Sequence, residues 1–159
     1  MSALVLELKQ GELMILNGAP IRFRTRSRIE LTAKSRFLFG KQILTPADAN
    51  TPARRIYFAL QAAYVGDSSE RPPALLLARS LIEDFKAATT SVLAHEILDR
   101  AFALAHEDSC YAALKLARRI IQHETAVLQM AGETLTSESD LPAAISNIEL
   151  GATNGMSAE

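Results

Sequence analysis

The chain has 159 residues, enough for one ordinary domain with a real hydrophobic core and too few for two large ones. Its net charge of −1 conceals a division, because residues 1–60 carry ten Lys/Arg against four Asp/Glu while the remainder carries seven against fourteen. A single cysteine, Cys110, excludes an intramolecular disulfide, and no apolar run approaches the roughly twenty residues of a membrane span, so a soluble cytoplasmic protein with no membrane association is expected.

Leu4–Leu8 and Leu13–Leu16 are strand-like, and the Lys9-Gln10-Gly11-Glu12 link between them suits a hairpin with Leu8 opposite Leu13 and Leu6 opposite Ile15. Asn17-Gly18 is a strong turn signal, since both residues tolerate positive φ, and a third strand begins near Ile21. Ile21, Phe23, Ile29, Leu31 and Ala33 share one parity over a stretch too long for a single strand. A tight loop at Arg26-Ser27-Arg28 would keep that face apolar, setting Phe23 opposite Leu31 and Arg24 opposite Glu30. Phe37–Phe39 reads as a further short strand. Leu13–Leu16 is apolar on both faces, which predicts a covered second sheet face or a dimer contact.

Beyond Lys41 the period changes. Thr51-Pro52 reads as an N-cap with proline at the first helical position, opening a helix to Val65 that carries Ile56, Leu60 and Ala63 inward and stops at Gly66. A second helix spans about Ala74–Thr89, with Leu77, Leu81 and Phe85 as its stripe. Ser91 caps a third that turns Leu93, Ile97 and Leu104 inward. A fourth runs from Ser109 to Met130, with Leu114, Ala117, Ile121 and Leu128 inward, ending at Gly132. The expected architecture is α+β: a small antiparallel sheet of hairpins at the N-terminus, then a bundle of about four helices. The corresponding organisation is a basic β-rich region 1–44, a helical region 45–132 packed with it as one domain, and a disordered tail 133–159.

Arg22, Arg24, Arg26 and Arg28 alternate with Ile21, Phe23, Thr25 and Ser27. In an extended chain their guanidinium groups would share one face about 7 Å apart. Arginine bonds phosphate in bidentate fashion and stacks on bases, so this surface is the candidate nucleic-acid site, with Lys34, Arg36 and Lys41 extending its field. The bland alternative is a wet sheet face.

Sequence motifs for a phosphate loop, a dinucleotide turn, a paired-cysteine site or a zinc protease do not occur, and neither cofactor nor metal is expected. His95, His106 and His123 sit on charged helical faces, where a surface role outweighs a catalytic one. Cys110 lies in an apolar helix pattern that fits a buried small side chain. Enzyme chemistry is disfavoured.

The order of features adds a resemblance. The K-x-G-E…N-G-A segment from Lys9 to Ala19, Phe37-Leu38, Ile43-Leu44 and the T-P-x-R-x-I-Y-F segment from Thr51 to Phe58, followed by a helical half, resemble the FlbT family of flagellar regulators in alphaproteobacteria over about residues 4–130. The resemblance implies a noncatalytic post-transcriptional regulator that associates with the 5′ untranslated region of flagellin mRNA and alters its translation and stability. It also implies FlaF as a functional companion. Two readings follow, direct RNA binding through the arginine strand, and a protein-interaction module acting through FlaF or flagellin that affects mRNA indirectly. A homodimer through the β-region is a further expectation.

Overall fold

The structure is a computed structural model and describes residues 3–135. Its organising strand is β2 (Leu13–Leu16), which has apolar side chains on both faces and uses both of its edges. On one edge, β3 (Ala19–Arg22) pairs antiparallel with Leu13 opposite Arg22 and Leu16 opposite Ala19. The turn between them is the expected one, with Asn17 at φ 49° and Gly18 at φ 88°, the pair of positive values a tight two-residue hairpin demands. On the other edge, β5 (Phe37–Phe39) places Met14 opposite Phe39 and Leu16 opposite Phe37.

With both edges of β2 taken, β1 (Leu4–Leu8) cannot form the expected hairpin with it. It pairs instead with β4 (Ser27–Leu31), Leu4 opposite Leu31 and Leu8 opposite Ser27, in a separate two-stranded sheet. The second expected hairpin is absent too, because β4 is paired with β1 in the other sheet. Leu31 faces Leu4 rather than Phe23, Glu30 faces Val5 rather than Arg24, and residues 23–26 carry the chain from one sheet to the other. The parity reading nevertheless named a true cluster. Ile21, Phe23, Ile29 and Leu31 pack with Leu6, Leu8 and Met14 between the two sheets. Side chains of this size contribute about 2 kcal/mol each on full burial, so the sandwich supplies its own core.

The opposite face of the three-stranded sheet meets the helices. Ile15 and Leu38 belong to the helical core, so the double-sided apolar pattern of β2 is satisfied within the chain. After two short 3-10 turns at Gly40–Gln42 and Pro46–Asp48, α1 (Pro52–Val65) begins as the sequence predicts, with Thr51 accepting from the Arg54 amide at 3.2 Å. Glu124 also accepts from the Ala53 amide at 3.1 Å, a carboxylate placed where the helix dipole favours one. Ile56, Leu60 and Ala63 are fully buried.

α2 (Arg71–Ala88), α3 (Val92–His106) and α4 (Cys110–Leu135) complete the bundle, α1 packing on α2 and α4, and α3 on α4. The stripe of α2 is the expected one in part: Leu81 and Phe85 pack against the core and Ala74, Ala78 and Ile82 are buried, while Leu77 is 52 % exposed. Alanine seams let helix backbones approach closely, and the same residue recurs at Ala53, Ala59, Ala101, Ala113 and Ala117. In α3, Ile97 is buried and Leu93 lies outside; in α4, Leu114, Ala117 and Ile121 are buried as expected and Leu128 is exposed. α4 also passes through Gly132 to Leu135, beyond its expected end. Residues 136–159, most of the segment expected as a tail, lie outside the described residues.

Candidate nucleic-acid interface

Strand register decides where the cations gather. Because β2 is antiparallel to both neighbours, its start lies beside the ends of β3 and β5. The ladder continues past Arg22, with the Phe23 amide donating to Glu12 O at 2.9 Å and the Gly11 amide to Phe23 O at 2.6 Å. In the other sheet the end of β1 lies beside the start of β4, and β1 feeds directly into β2. One end of the sandwich therefore collects Lys9, Arg22, Arg24, Arg26, Arg28 and Lys41, with Glu7 and Glu12 as the carboxylates among them. The result is an electropositive end of the β-sandwich.

The four arginines do not share one face. Ile21 and Ile29 both point into the inter-sheet cluster, so Arg22 and Arg28, each one residue further along or back, leave it through opposite layers. The extended conformation that would have aligned them is broken between Phe23 and Arg26, where the chain changes sheets. They ring the end of the sandwich instead. Arg22 Nη1 donates to Gly11 O at 2.8 Å, which fixes its stem against the β1–β2 link. Arg26 approaches Glu7 at 3.3 Å, with 79 % and 60 % of the two side chains exposed, and Arg28 faces Glu7 across the ladder. Such an exposed pair is worth at most about 1 kcal/mol, so a phosphate can replace it. Arg24 is exposed in the bend between the sheets.

Lys34 and Arg36 belong to the opposite end, beside the Asn17-Gly18 turn. The Asn17 amide donates to Arg36 O at 2.9 Å, and the Arg36 amide donates to Asn17 Oδ1 at 3.1 Å. The Arg36 guanidinium donates to Asp108 Oδ1 at 2.5 Å and lies 5.9 Å from the centre of the Tyr64 ring. That hydrogen bond raises the guanidinium pKa above its usual value and lowers that of the Asp108 carboxyl. Arg36 is thus a strut tying the β4–β5 link to the helices, on the wall of an open groove of about 550 Å³.

Cys110 is 1 % exposed, and burial pushes its thiol pKa up, so the thiolate is disfavoured. His95 Nε2 lies 3.0 Å from Thr89 O, and His106 stacks on Phe102 with ring centres 6.1 Å apart. Among the described residues, no group of three or more His, Cys, Asp or Glu is arranged to hold a metal ion. Nor is any described helix long and apolar enough to cross a membrane. Lys9 is not among the residues the sequence singles out for this surface. Its place in the β1–β2 link put it in view, but only the strand register brings it beside Arg22.

The family model for the flagellar protein FlbT matches residues 4–128, from the first residue of β1 into the last turns of α4. A "Probable flagellum biosynthesis repressor protein FlbT" from Chelativorans sp. is 29 % identical over 123 residues, covering 77 % of this chain and 84 % of the relative. One of the same name from Brucella ovis is 27 % identical over 129 residues, covering 80 % and 83 %. Another, from Allorhizobium ampelinum, is 31 % identical over 81 residues, covering 51 % and 54 %. No solved structure matches. With the whole β-sandwich and nearly all of the four-helix layer inside the matched span, the chain belongs to the FlbT family of flagellar proteins.

Proposed function

We propose that the protein is a post-transcriptional regulator of flagellin expression that associates with the 5′ untranslated region of flagellin mRNA and alters its translation and stability. The observation that carries this reading is the convergence of Lys9, Arg22, Arg24, Arg26, Arg28 and Lys41 at one end of the β-sandwich. Family membership and relatives named as repressors of flagellum biosynthesis supply the flagellar context. Arginine-rich ends of this kind meet phosphates without a preformed pocket, and the exposed Arg24 and Arg26 lead the contact. Lys34 and Arg36, at the other end, serve the fold and the general field.

The test is binding of a flagellin leader RNA across a salt series. Each phosphate contact on a single strand contributes about 0.7 to the slope of log affinity against log salt. Replacing Arg22, Arg24, Arg26 and Arg28 by alanine is expected to flatten the slope by about 2 to 3, and Arg36→Ala to leave it unchanged. An unaltered slope in the quadruple variant overturns the assignment.

A second reading rests on a different surface. Because α4 runs back along α3, the exposed Val92 and Leu93 at the start of α3 lie toward the exposed Val127, Leu128 and Met130 near the end of α4. That apolar end suits a protein contact, with FlaF or flagellin as partner. Loss of such a partner in a Leu93→Glu/Leu128→Glu protein that still binds leader RNA would support it.

A further inference from the structure

The two-stranded sheet has a free edge on each side. β1 and β4 pair only with each other, so among the described residues one row of backbone amides and carbonyls on each strand has no ladder partner. Two strands alone are marginal in water, and three or more give a sheet its own stability. This pair also leaves apolar area in view, with Leu4 and Val5 each 45 % exposed and Ile29 and Leu31 only half-buried.

The β4 edge has a pattern that the β1 edge lacks. In Ser27-Arg28-Ile29-Glu30-Leu31, Ile29 and Leu31 turn toward the inter-sheet cluster, and the exposed Arg28 and Glu30 turn away from it. Glu7 takes Arg26 as its ion pair, which leaves Arg28 and Glu30 as opposite charges without a salt bridge among the described residues. Two copies of this strand laid antiparallel, Ile29 opposite Ile29, set Arg28 of each copy opposite Glu30 of the other. A shift of two residues either way opposes Arg28 to Arg28 or Glu30 to Glu30. A shift of one sets Ile29 against a charge and turns one sheet over. Parallel alignment in register opposes like charges. β1 offers no such choice, since centring it on Leu6 sets Glu7 against Val5.

We infer that β4 joins a second copy of this chain edge to edge, making a continuous four-stranded sheet in the order β1-β4-β4-β1 with Ile29 at the two-fold axis. The contact is isologous and closes at two copies, because it uses the β4 edge of both. Exposed ion pairs add little affinity, so the charges set the register, while the backbone ladder and the side chains around Ile29 hold the copies together. Five-residue strands bury less than the roughly 1,200 Å² of a standard interface, so dimer and monomer exchange with concentration. This contact is independent of the RNA reading.

Sedimentation velocity of the full-length chain across roughly a hundredfold range of concentration is expected to show a monomer–dimer equilibrium. Glu30→Arg sets Arg28 of each copy against another arginine and should weaken association by at least about tenfold. A second variant reverses the other charge. Because Arg28 faces Glu7 within the chain, it combines Arg28→Glu with Glu7→Gln, which avoids a new like-charge contact in the monomer. It too should be monomeric alone. Mixed in equal amounts, the two variants present only opposite charges to each other, and a heterodimer as tight as the wild-type dimer is expected. Circular dichroism checks that each is folded. Hydrogen exchange on the wild type needs no variant: the amides of Ser27–Leu31 should gain protection as concentration rises.

A wild-type chain that stays monomeric over the whole range, or whose β4 amides gain no protection on association, overturns the inference. Dimerisation untouched by Glu30→Arg also overturns it and moves the contact elsewhere, such as the exposed apolar ends of α3 and α4. Growth beyond two copies does so as well, indicating open addition through β1. A mixture of folded variants no more associated than its parts removes the register and the β4 contact with it. Glu30→Arg keeps all four arginines of the basic end, so leader-RNA binding by that variant is read separately from association.

Discussion

Replacing Tyr57 by phenylalanine removes a single hydroxyl that joins three layers of the molecule. The oxygen donates to Gln42 O at 2.6 Å and accepts from Arg118 at 3.0 Å, and the side chains of Tyr57 and Arg118 are both buried. Without it a carbonyl loses a neutral hydrogen bond worth about 1 kcal/mol, and a guanidinium loses one worth about 2 kcal/mol. Arg118 and Gln42 hold further interactions that offset part of this, so the expected cost is about 2 kcal/mol. In a chain of this size that corresponds to a fall of roughly 6 °C in Tm. Urea unfolding followed by circular dichroism should show a lower midpoint at unchanged slope, because the surface exposed on unfolding stays the same. The decisive measurement is a double-mutant cycle with Arg118→Met. Neighbours in one network couple by about 0.5 to 3 kcal/mol, and the double variant should be less destabilised than the sum of its parts. Strict additivity, or a Tyr57→Phe cost below about 0.5 kcal/mol, would refute the linkage.

Acid stability should depend on Asp108. The Arg36 hydrogen bond holds its carboxyl below the usual value, so its contribution is complete above the unfolded pKa and is lost as pH falls through the folded one. Between pH 5 and pH 3, the unfolding midpoint of wild type should therefore fall more steeply than that of Asp108→Asn; parallel curves would contradict the pairing. Asp67, lowered by bonds from Ser69, is present in both proteins and cancels. Gly18→Ala should cost more than Gly11→Ala. Both positions have positive φ, a strain of about 1 kcal/mol for alanine, but a β-carbon at Gly18 would lie 3.2 Å from the Asp67 amide nitrogen, whereas at Gly11 it meets nothing within 4 Å. Equal costs in thermal unfolding would remove the close approach from the explanation.

Much of the fold was legible because its signals are local. Thr51-Pro52 and Gly66 bracket α1 as they do in the sequence, and Asn17-Gly18 fixes the β2–β3 turn. What escaped depends on competition. Nothing between Leu4 and Leu16 says that β5, twenty residues on, will claim the edge that β1 seemed to own. Leu81 and Phe85 of α2 pack inward as their spacing says, but alanine buries better at a close helix contact, so Ala74 and Ala78 form the seam and Leu77 lies outside. The candidate interface was half readable. The arginines stand out in the sequence, but their arrangement around an end, with Lys9 beside them, follows only from the strand register.

The separation of β1 from β2 also sets an order of events during synthesis. β1 leaves the ribosome before β2 and β3, and its partner β4 follows them in the chain. Until then Leu6 and Leu8 have no sheet to cover them, and their burial waits on a contact between distant parts of the chain. The β2–β3 pairing is local, whereas the outer sheet with Glu7, Arg26 and Arg28 closes only through a contact across a longer stretch of chain. The basic end would be complete only when that layer has closed, which couples any phosphate-binding surface there to finished folding.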